Sequence, residues 1–482
     1  MNLKLLNHVV SVIVFFIGLT QLGALAVSLW FDDGSASSIA ISAVLTMLAG
    51  GSVFLSTREK VVKELGLREG FGIVGLSWFA ASFFGALPFW ISGVIPEFTY
   101  AFFESASGLT TTGSTILREI EGLPEGILFW RSFLHWLGGM GIIVLSVAIL
   151  PFLGLGGMQL FKAESPGPTK DKLGPRIQET AKFLWFVYVL ISLACFTLLW
   201  LAGMSVFDAA CHMFGTVATG GFSTYNASVG HFHSPLIEYI IIFFMFICGI
   251  SFSLHYRAIL LGKPLCYFKP TEVKAYATII ALATIFIYWT RIADQLPWEQ
   301  NLRECLFQVV SIMTTTGYGT ADFELWHTGA QITLLFLMVV GGCAGSTGGG
   351  LKVVRVILLL KYLKTLLNQQ LHPAGVFLAK MDGNRVPNKV LHNILGLFAT
   401  FILIHMFSSF LLSLTGVDLT TATTAVLACL SNIGPGLGEV GPTDNFANFN
   451  SFAIWVLNFD MIMGRLELFS VLMLFLPQTW RR

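Results

Sequence analysis

The sequence predicts an all-α polytopic membrane protein with ten spans, most of them in four tandem helix–re-entrant loop–helix repeats. Three observations predict it: the composition, the run of charge-free windows, and a Thr/Gly cluster that recurs four times. The 482 residues are 55% hydrophobic and only 11% charged, with a mean hydropathy of +0.75; ordinary soluble domains carry about 25% charged residues. A soluble fold has too little interior to hide so much apolar surface, so soluble and disordered classes are excluded. The net charge of +1 leaves no basic excess for nucleic acid.

A spanning helix needs ~20 mostly apolar residues to cross ~30 Å of hydrocarbon. Windows free of Lys, Arg, Asp and Glu run over 5–31, 34–57, 70–96, 132–161, 183–207, 239–256, 275–290, 325–351 and 390–417. A tenth span over 450–478 carries Asp460, Arg465 and Glu467 inside an otherwise apolar run. The N-terminal run lacks an A-x-A-type cleavage site close behind it and reads as a retained first span. Two further charge-free windows, 209–237 and 419–438, are dense in Gly, Ser, Thr, Asn and His, which suits a lipid-facing helix poorly. The seven cysteines stand singly with no C-x-x-C, so neither a zinc site nor a disulfide framework is indicated.

Basic residues set the orientation. With both termini cytoplasmic, the inner segments are 57–69, 162–182, 257–274 and 352–389, and 24 of the 28 Lys and Arg fall inside. Only Arg118, Arg131, Arg291 and Arg303 remain outside, among most of the acids.

Each long outer connection holds the same oddity, an apolar stretch of about a dozen residues running into a Thr/Gly cluster. The four read AFFESASGLTTTGST (101–115), FDAACHMFGTVATGGFST (207–224), ECLFQVVSIMTTTGYGT (304–320) and LTTATTAVLACLSNIGPGLGE (419–439). With Gly113, Gly221, Gly317 and Gly434 taken as equivalent, the spacings are 108, 96 and 117 residues. The chain then divides into two N-terminal spans (1–57) and four tandem helix–re-entrant pore loop–helix repeats in pseudo-fourfold arrangement: 58–161, 162–262, 263–365 and 366–482. Non-helical backbone at membrane depth survives only where protein buries it or it lines a wet cavity. Four such loops can meet on one axis, and a ring of carbonyls can replace the hydration shell of an alkali cation. Glycine opens φ values closed to other residues, and a half-helix aims its partly negative C-terminal end at the ion.

These stretches carry a resemblance. TTTGS (110–114), FWRSFLHWLGGMGI (129–142), ATGGFST (218–224), TTTGYGT (314–320), GGCAGSTGGGLKVVR (341–355), SNIGPGLGE (431–439) and MGRLELF (463–469) resemble the Trk/Ktr/HKT superfamily of potassium transporters, most closely its bacterial TrkH/TrkG membrane subunits. The resemblance runs from roughly 70 to 482, and the two extra spans suit the same branch. It implies one pseudo-fourfold pore per subunit, a homodimer, and a TrkA-like cytoplasmic nucleotide-binding ring as gating partner. It places the filter glycines on Gly113, Gly221, Gly317 and Gly434, with ion-facing carbonyls from Thr111, Thr112, Thr219, Gly220, Thr315, Thr316, Asn432 and Ile433. Family members with Ser at the first position tend toward sodium, so four glycines favour potassium. The fourth loop departs from the Thr-Gly type.

Six of the ten residues 341–350 are glycine, and each costs ~1 kcal/mol relative to Ala inside a helix. A phosphate cradle fails the G-x-x-x-x-G-K-[ST] pattern because Leu351 separates Gly350 from Lys352. Small-residue helix packing and a broken helix crossing the pore beneath the filter both stay open. The resemblance favours the second, with Gly345, Ser346, Thr347, Gly348, Gly349 and Gly350 as an intramembrane gate and Lys352 and Arg465 as pore-side charges. A charge within a span costs ~2.5–3.5 kcal/mol and faces a cavity or partner; Asp460, Arg465 and Glu467 also read as an intrahelical ion cluster. His231 and His233 read as surface residues, His405 as a hydrogen-bonded bundle residue, and Glu104 and Glu439 as solvated acids or cation concentrators at a mouth. The segment 352–389 suits docking of the nucleotide-binding partner or anionic lipid.

The expected function is K⁺ (and Rb⁺) uptake across a bacterial inner membrane through a selective pore gated by the glycine loop and a regulatory subunit. No covalently bound cofactor is expected, and nucleotide of the NAD/ATP class only on that partner. The alternative is symport, an H⁺- or Na⁺-coupled K⁺ transporter with an occluded midplane site. No Ser/His, metal-ligand or paired-carboxylate constellation sits at membrane depth, which argues against an enzyme.

Overall fold

The computed structural model describes residues 3–58, 67–141 and 177–480, and they are predominantly helical. Residues 142–161 of the expected span 132–161 and most of the expected inner segments 57–69 and 162–182 lie outside the described residues. Six described helices are long and apolar enough to cross a membrane: Leu3–Phe31, Ala36–Thr57, Glu69–Ile91, Ala181–Leu201, Thr271–Thr290 and Asn388–Ser413. Outward-facing side chains such as Phe243, Leu282, Ile285, Phe336, Leu403 and Phe407 are exposed, as lipid-facing positions should be.

The first two helices form a hairpin that small residues close. A methyl group on Gly50 would sit 2.7 Å from Ser11 O, and one on Gly18 would sit 2.9 Å from Met47 N. The hairpin is fastened to the rest of the fold where Gly126 N–H donates to Asp33 at 2.6 Å. Two large apolar clusters fill the interior, one built on the N-terminal helices and the first and last loop regions, the other on the middle of the chain. The helix Val353–Leu371 is followed by a two-stranded hairpin, Lys380–Met381 with Asn384–Arg385.

The windows expected to be single spans after the second, third and fourth Thr/Gly clusters are interrupted instead. The window 239–256 splits into Pro235–Cys248 and Phe252–Ile259, bent by 102°. The window 325–351 gives only Thr328–Val340 before the glycine loop, and 450–478 gives Ser451–Arg465, then Phe469–Phe475. After the first cluster, Glu125–Trp136 runs into a π-helical turn, Leu137–Gly141, a distortion that recurs at functional positions. The breaks at 249–251, 341–350 and 466–468 each follow a cluster.

Candidate functional site

Four short helices, Phe98–Leu109, Val206–Ala218, Trp298–Met313 and Leu419–Ser431, end where the clusters begin. At 1.5 Å per residue they reach only ~18–24 Å, short of a bilayer. Their starts are coded locally in two cases: Ser205 accepts Asp208 N–H at 3.0 Å, and Asp418 accepts Thr420 and Thr421 N–H at 2.9 and 3.1 Å. Their C-terminal carbonyls lead into the loops, which puts partial negative charge there.

The loops have unlike sequences and one conformation. The residue two before each glycine is left-handed, with φ of 54° at Thr111, 56° at Thr219, 62° at Thr315 and 56° at Asn432. The glycines follow at 85° for Gly113, 81° for Gly221, 81° for Gly317 and 104° for Gly434. Thr110 and Thr112 hydroxyls pair at 2.7 Å, as Thr314 and Thr316 do at 2.8 Å. In the fourth loop, Asn432 Nδ2 donates to Thr112 Oγ1 at 2.9 Å and to Met461 O at 2.9 Å, tying that loop to the first.

The four loops close a ring. A methyl group on Gly113 would overlap the Gly220 carbonyl, one on Gly221 the Thr316 carbonyl, and one on Gly317 the Ile433 carbonyl; on Gly434 it would lie 2.9 Å from Thr112 O. In every case the colliding oxygen belongs to the residue just before the next loop's glycine. The contacts therefore run from loop one to two, three, four and back. Gly113, Gly221, Gly317 and Gly434 together floor a cavity of ≈ 280 Å³.

A buried ion pair braces the C-terminal ends of the first two loops. Arg131 Nε meets Glu104 Oε1 at 2.6 Å, with both side chains almost fully buried. Glu104 also accepts Thr115 Oγ1 at 2.8 Å and Ile116 N–H at 3.0 Å, while Arg131 donates to Ser223 O at 2.9 Å. Behind them, His135 contacts Gly108 O through Nδ1 at 2.8 Å and accepts Phe222 N–H at Nε2, 3.1 Å away. Tyr318 OH reaches Phe222 O at 3.2 Å. Removing one partner of a buried pair costs ~3–5 kcal/mol. Glu104→Gln is therefore expected to lower the thermal unfolding midpoint in detergent clearly, and Glu104→Gln with Arg131→Met to recover part of the loss. Unfolding of Glu104→Gln at the wild-type temperature would show that the pair holds nothing.

The glycine loop lies against this ring. Thr347 Oγ1 is 3.2 Å from Thr219 Oγ1, Gly349 N–H donates to Thr315 Oγ1 at 2.6 Å, and Gly350 N–H donates to Ser431 O at 3.0 Å. Cys343 N–H to Gly249 O and Gly345 O to Phe252 N–H, both 2.9 Å, join it to the break at 249–251. Gly341, Gly345 and Gly350 take positive φ, as does Lys352, whose ammonium donates to Gly348 O. Arg465 donates to Thr347 O at 2.7 Å, to Gly138 O at 2.8 Å and to Gly139 O at 3.0 Å. Ser346 Oγ turns back to Cys343 O at 2.6 Å.

Several expectations change. Glu104 is a buried brace, neither solvated nor at a mouth, whereas Glu439 is exposed. Asp460, Arg465 and Glu467 do not form a cluster: Asp460 accepts from Ser408, Glu467 pairs with Arg355 at 2.5 Å, and Arg465 holds loop carbonyls. His405 Nδ1 has no hydrogen-bond partner among the described residues. His231 stacks on Tyr225 with ring centroids 3.6 Å apart. Glu324 accepts Gly438 N–H at 2.5 Å, and burial raises its carboxyl above the usual range. Reading the sequence missed the brace roles of Arg131, His135 and Tyr318; Arg131 and His135 stand in the quoted 129–142 motif, but no spacing signals their partners.

Apolar helices, short helices that stop partway and a closed ring of backbone loops define a polytopic membrane protein of the transport class. The sequence profile of the TrkH family, described as cation transport protein, matches residues 35–481, and the chain belongs to that family. It is 43% identical, over the whole length of both chains, to the Trk system potassium uptake protein TrkH of Salmonella typhimurium. It is 34% identical to the Trk system potassium uptake protein TrkG of Escherichia coli K12, covering 100% of this chain and 99% of that one. The crystal structure of the potassium transporter TrkH from Vibrio parahaemolyticus superposes with a TM-score of 0.89 at 38% identity, covering both chains fully. These relatives are transporters, not enzymes.

Proposed function

We propose that this chain carries K⁺ across a bacterial inner membrane through the ring formed by Thr111–Gly113, Thr219–Gly221, Thr315–Gly317 and Asn432–Gly434, with both termini cytoplasmic. The observation that carries the reading is the cyclic contact of each glycine with the carbonyl preceding the next. Peptide oxygens held at fixed spacing replace the hydration of an alkali ion, and four half-helix C-termini add negative potential. The cavity outside the ring serves as the waiting space for ions. In this reading the polypeptide consists of ten membrane passages in four pore repeats plus the N-terminal pair. Residues 345–350 close the inner end, and a nucleotide-binding cytoplasmic partner moves them; the subunit works as a homodimer.

Arg465 ties the closed loop to the turn at Gly138 and Gly139. Hydrogen bonds from charged groups contribute ~1.5–3 kcal/mol each, and 1.4 kcal/mol is a factor of ten in an equilibrium. Arg465→Ala should raise basal flux about tenfold or more without changing ion preference. Flux at or below wild type would remove Arg465 from the gate. Purified protein in liposomes tests the whole reading: ⁸⁶Rb⁺ entry is expected to exceed ²²Na⁺ entry strongly and to need no imposed proton gradient. Equal entry of both ions would refute selectivity, and strict dependence on the gradient would favour a coupled transporter.

A further inference from the structure

One acidic side chain of the last long helix is left unused by the ring and the gate. Asp460 is fully buried in Ser451–Arg465. Its Oδ1 accepts the Ser408 hydroxyl of the neighbouring helix Asn388–Ser413 at 2.8 Å, and its Oδ2 has no hydrogen-bond partner among the described residues. Other buried acids are treated differently. Glu104 and Glu238 each meet an arginine at 2.6 Å, and Asp208, which has none among the described residues, accepts the Ser205, Thr224 and Tyr225 hydroxyls on its two oxygens; no described Lys or Arg pairs with Asp460.

Among the described residues, the groups around Asp460 carry no compensating charge. Ser408 faces it from one side, and the Cys429 thiol interacts with it from the short helix Leu419–Ser431. His405 lies one turn before Ser408 on the same helix face, with a buried and unpartnered Nδ1. The helix Phe98–Leu109 also packs on Ser451–Arg465, but its one acid, Glu104, is held by Arg131. On Asp460's own helix, Arg465 points to the loop carbonyls; the following helix Phe469–Phe475 has no charged residue.

An ionised carboxylate with one hydrogen bond in an apolar interior is strongly disfavoured, and such a group neutralises instead. We infer that Asp460 and Ser408 form a proton-binding site between the two helices, occupied in the conformation described. The site has a route to the ring. Met461, the next residue, accepts Asn432 Nδ2 at its carbonyl, and the same nitrogen donates to Thr112. Loss of the proton places a charge one residue from the carbonyl that holds the fourth loop. The neutral form stabilises the described, closed conformation at acid pH, and that stabilisation is lost as pH rises. Flux is therefore expected to rise toward alkaline pH.

Infrared spectroscopy of the full chain in ester-free detergent at neutral pH tests the site directly. Wild type should show a protonated carboxyl stretch that Asp460→Asn removes and Ser408→Ala shifts without removing. The Ser408→Ala measurement decides the matter if Asp460→Asn does not fold. Loss of an ionised carboxylate band in Asp460→Asn overturns the inference, and so does a carboxylate band that moves when Na⁺ is added, since that identifies a cation site. The flux arm rests on the transport reading: ⁸⁶Rb⁺ entry should vary with pH in wild type and lose that dependence in Asp460→Asn. A wild-type pH profile in Asp460→Asn, with the infrared result as expected, overturns the link to the ring and leaves the proton site standing.

Discussion

Gly113→Ser is expected to lower discrimination between K⁺ and Na⁺ by about tenfold or more, read as the shift in reversal potential of the reconstituted protein. Two costs fall on the added side chain. Gly113 sits at φ 85°, and holding a non-glycine residue there costs of order 1–3 kcal/mol. Its β-carbon would also overlap the Gly220 carbonyl. That oxygen cannot retreat alone, because the next glycine, Gly221, is already closed against Thr316 O. The ring therefore opens or tilts as a unit, and carbonyls spaced for one ion lose their advantage over water. With 1.4 kcal/mol equal to a factor of ten, strain near the middle of that range accounts for the expected change. Gly122, which has φ 89° and nothing near a new β-carbon, is the control: Gly122→Ser should leave ion preference intact. Unchanged preference in Gly113→Ser would disconnect the first loop from selection.

Deleting residues 345–350 is expected to raise basal flux more than Arg465→Ala does, on the order of a hundredfold. The segment contributes Thr347 to Thr219, Gly349 to Thr315 and Gly350 to Ser431, so it touches three of the four loops at once. A typical hydrogen bond is worth ~1 kcal/mol net, so these three, with the Arg465 contacts, supply several kcal/mol holding the inner end shut. The deletion also removes the Gly345 bond to Phe252 N–H, so the bend at 249–251 should relax toward a straighter helix. Initial rates of ⁸⁶Rb⁺ entry into liposomes check this, normalised to folded protein. A rate no higher than wild type would make the segment a packing device.

The loops could be read in the sequence because their chemistry is local. A left-handed residue followed two later by glycine needs small or Thr/Asn-like residues there, and the clusters at 110–114, 218–224, 314–320 and 431–439 supply them. Six glycines likewise announced the break at 341–350. The other interruptions carry little local signal. Residues 249–251 hold one glycine, and the bend exists because Gly249 O and Phe252 N–H bond to the distant glycine loop. Glu467 and Leu468 take φ of 56° and 59° with no glycine between them. A tertiary ion pair, Arg355 to Glu467, fixes that turn. The brace was hidden for the same reason: Glu104 and Arg131 lie in different helices, and nothing in their spacing couples them. Single-residue propensity speaks for conformations that a residue adopts unaided, and these are imposed by partners far along the chain.

In the proposed function, one monovalent ion sits where four backbone segments meet. Anomalous scattering from crystals soaked in Tl⁺ or Rb⁺ measures it most directly. Density is expected on the axis bounded by Gly113, Gly221, Gly317 and Gly434, ringed by the carbonyls of Thr112, Gly220, Thr316 and Ile433. Density confined to other parts of the molecule, with that axis empty at saturating ion, would contradict it.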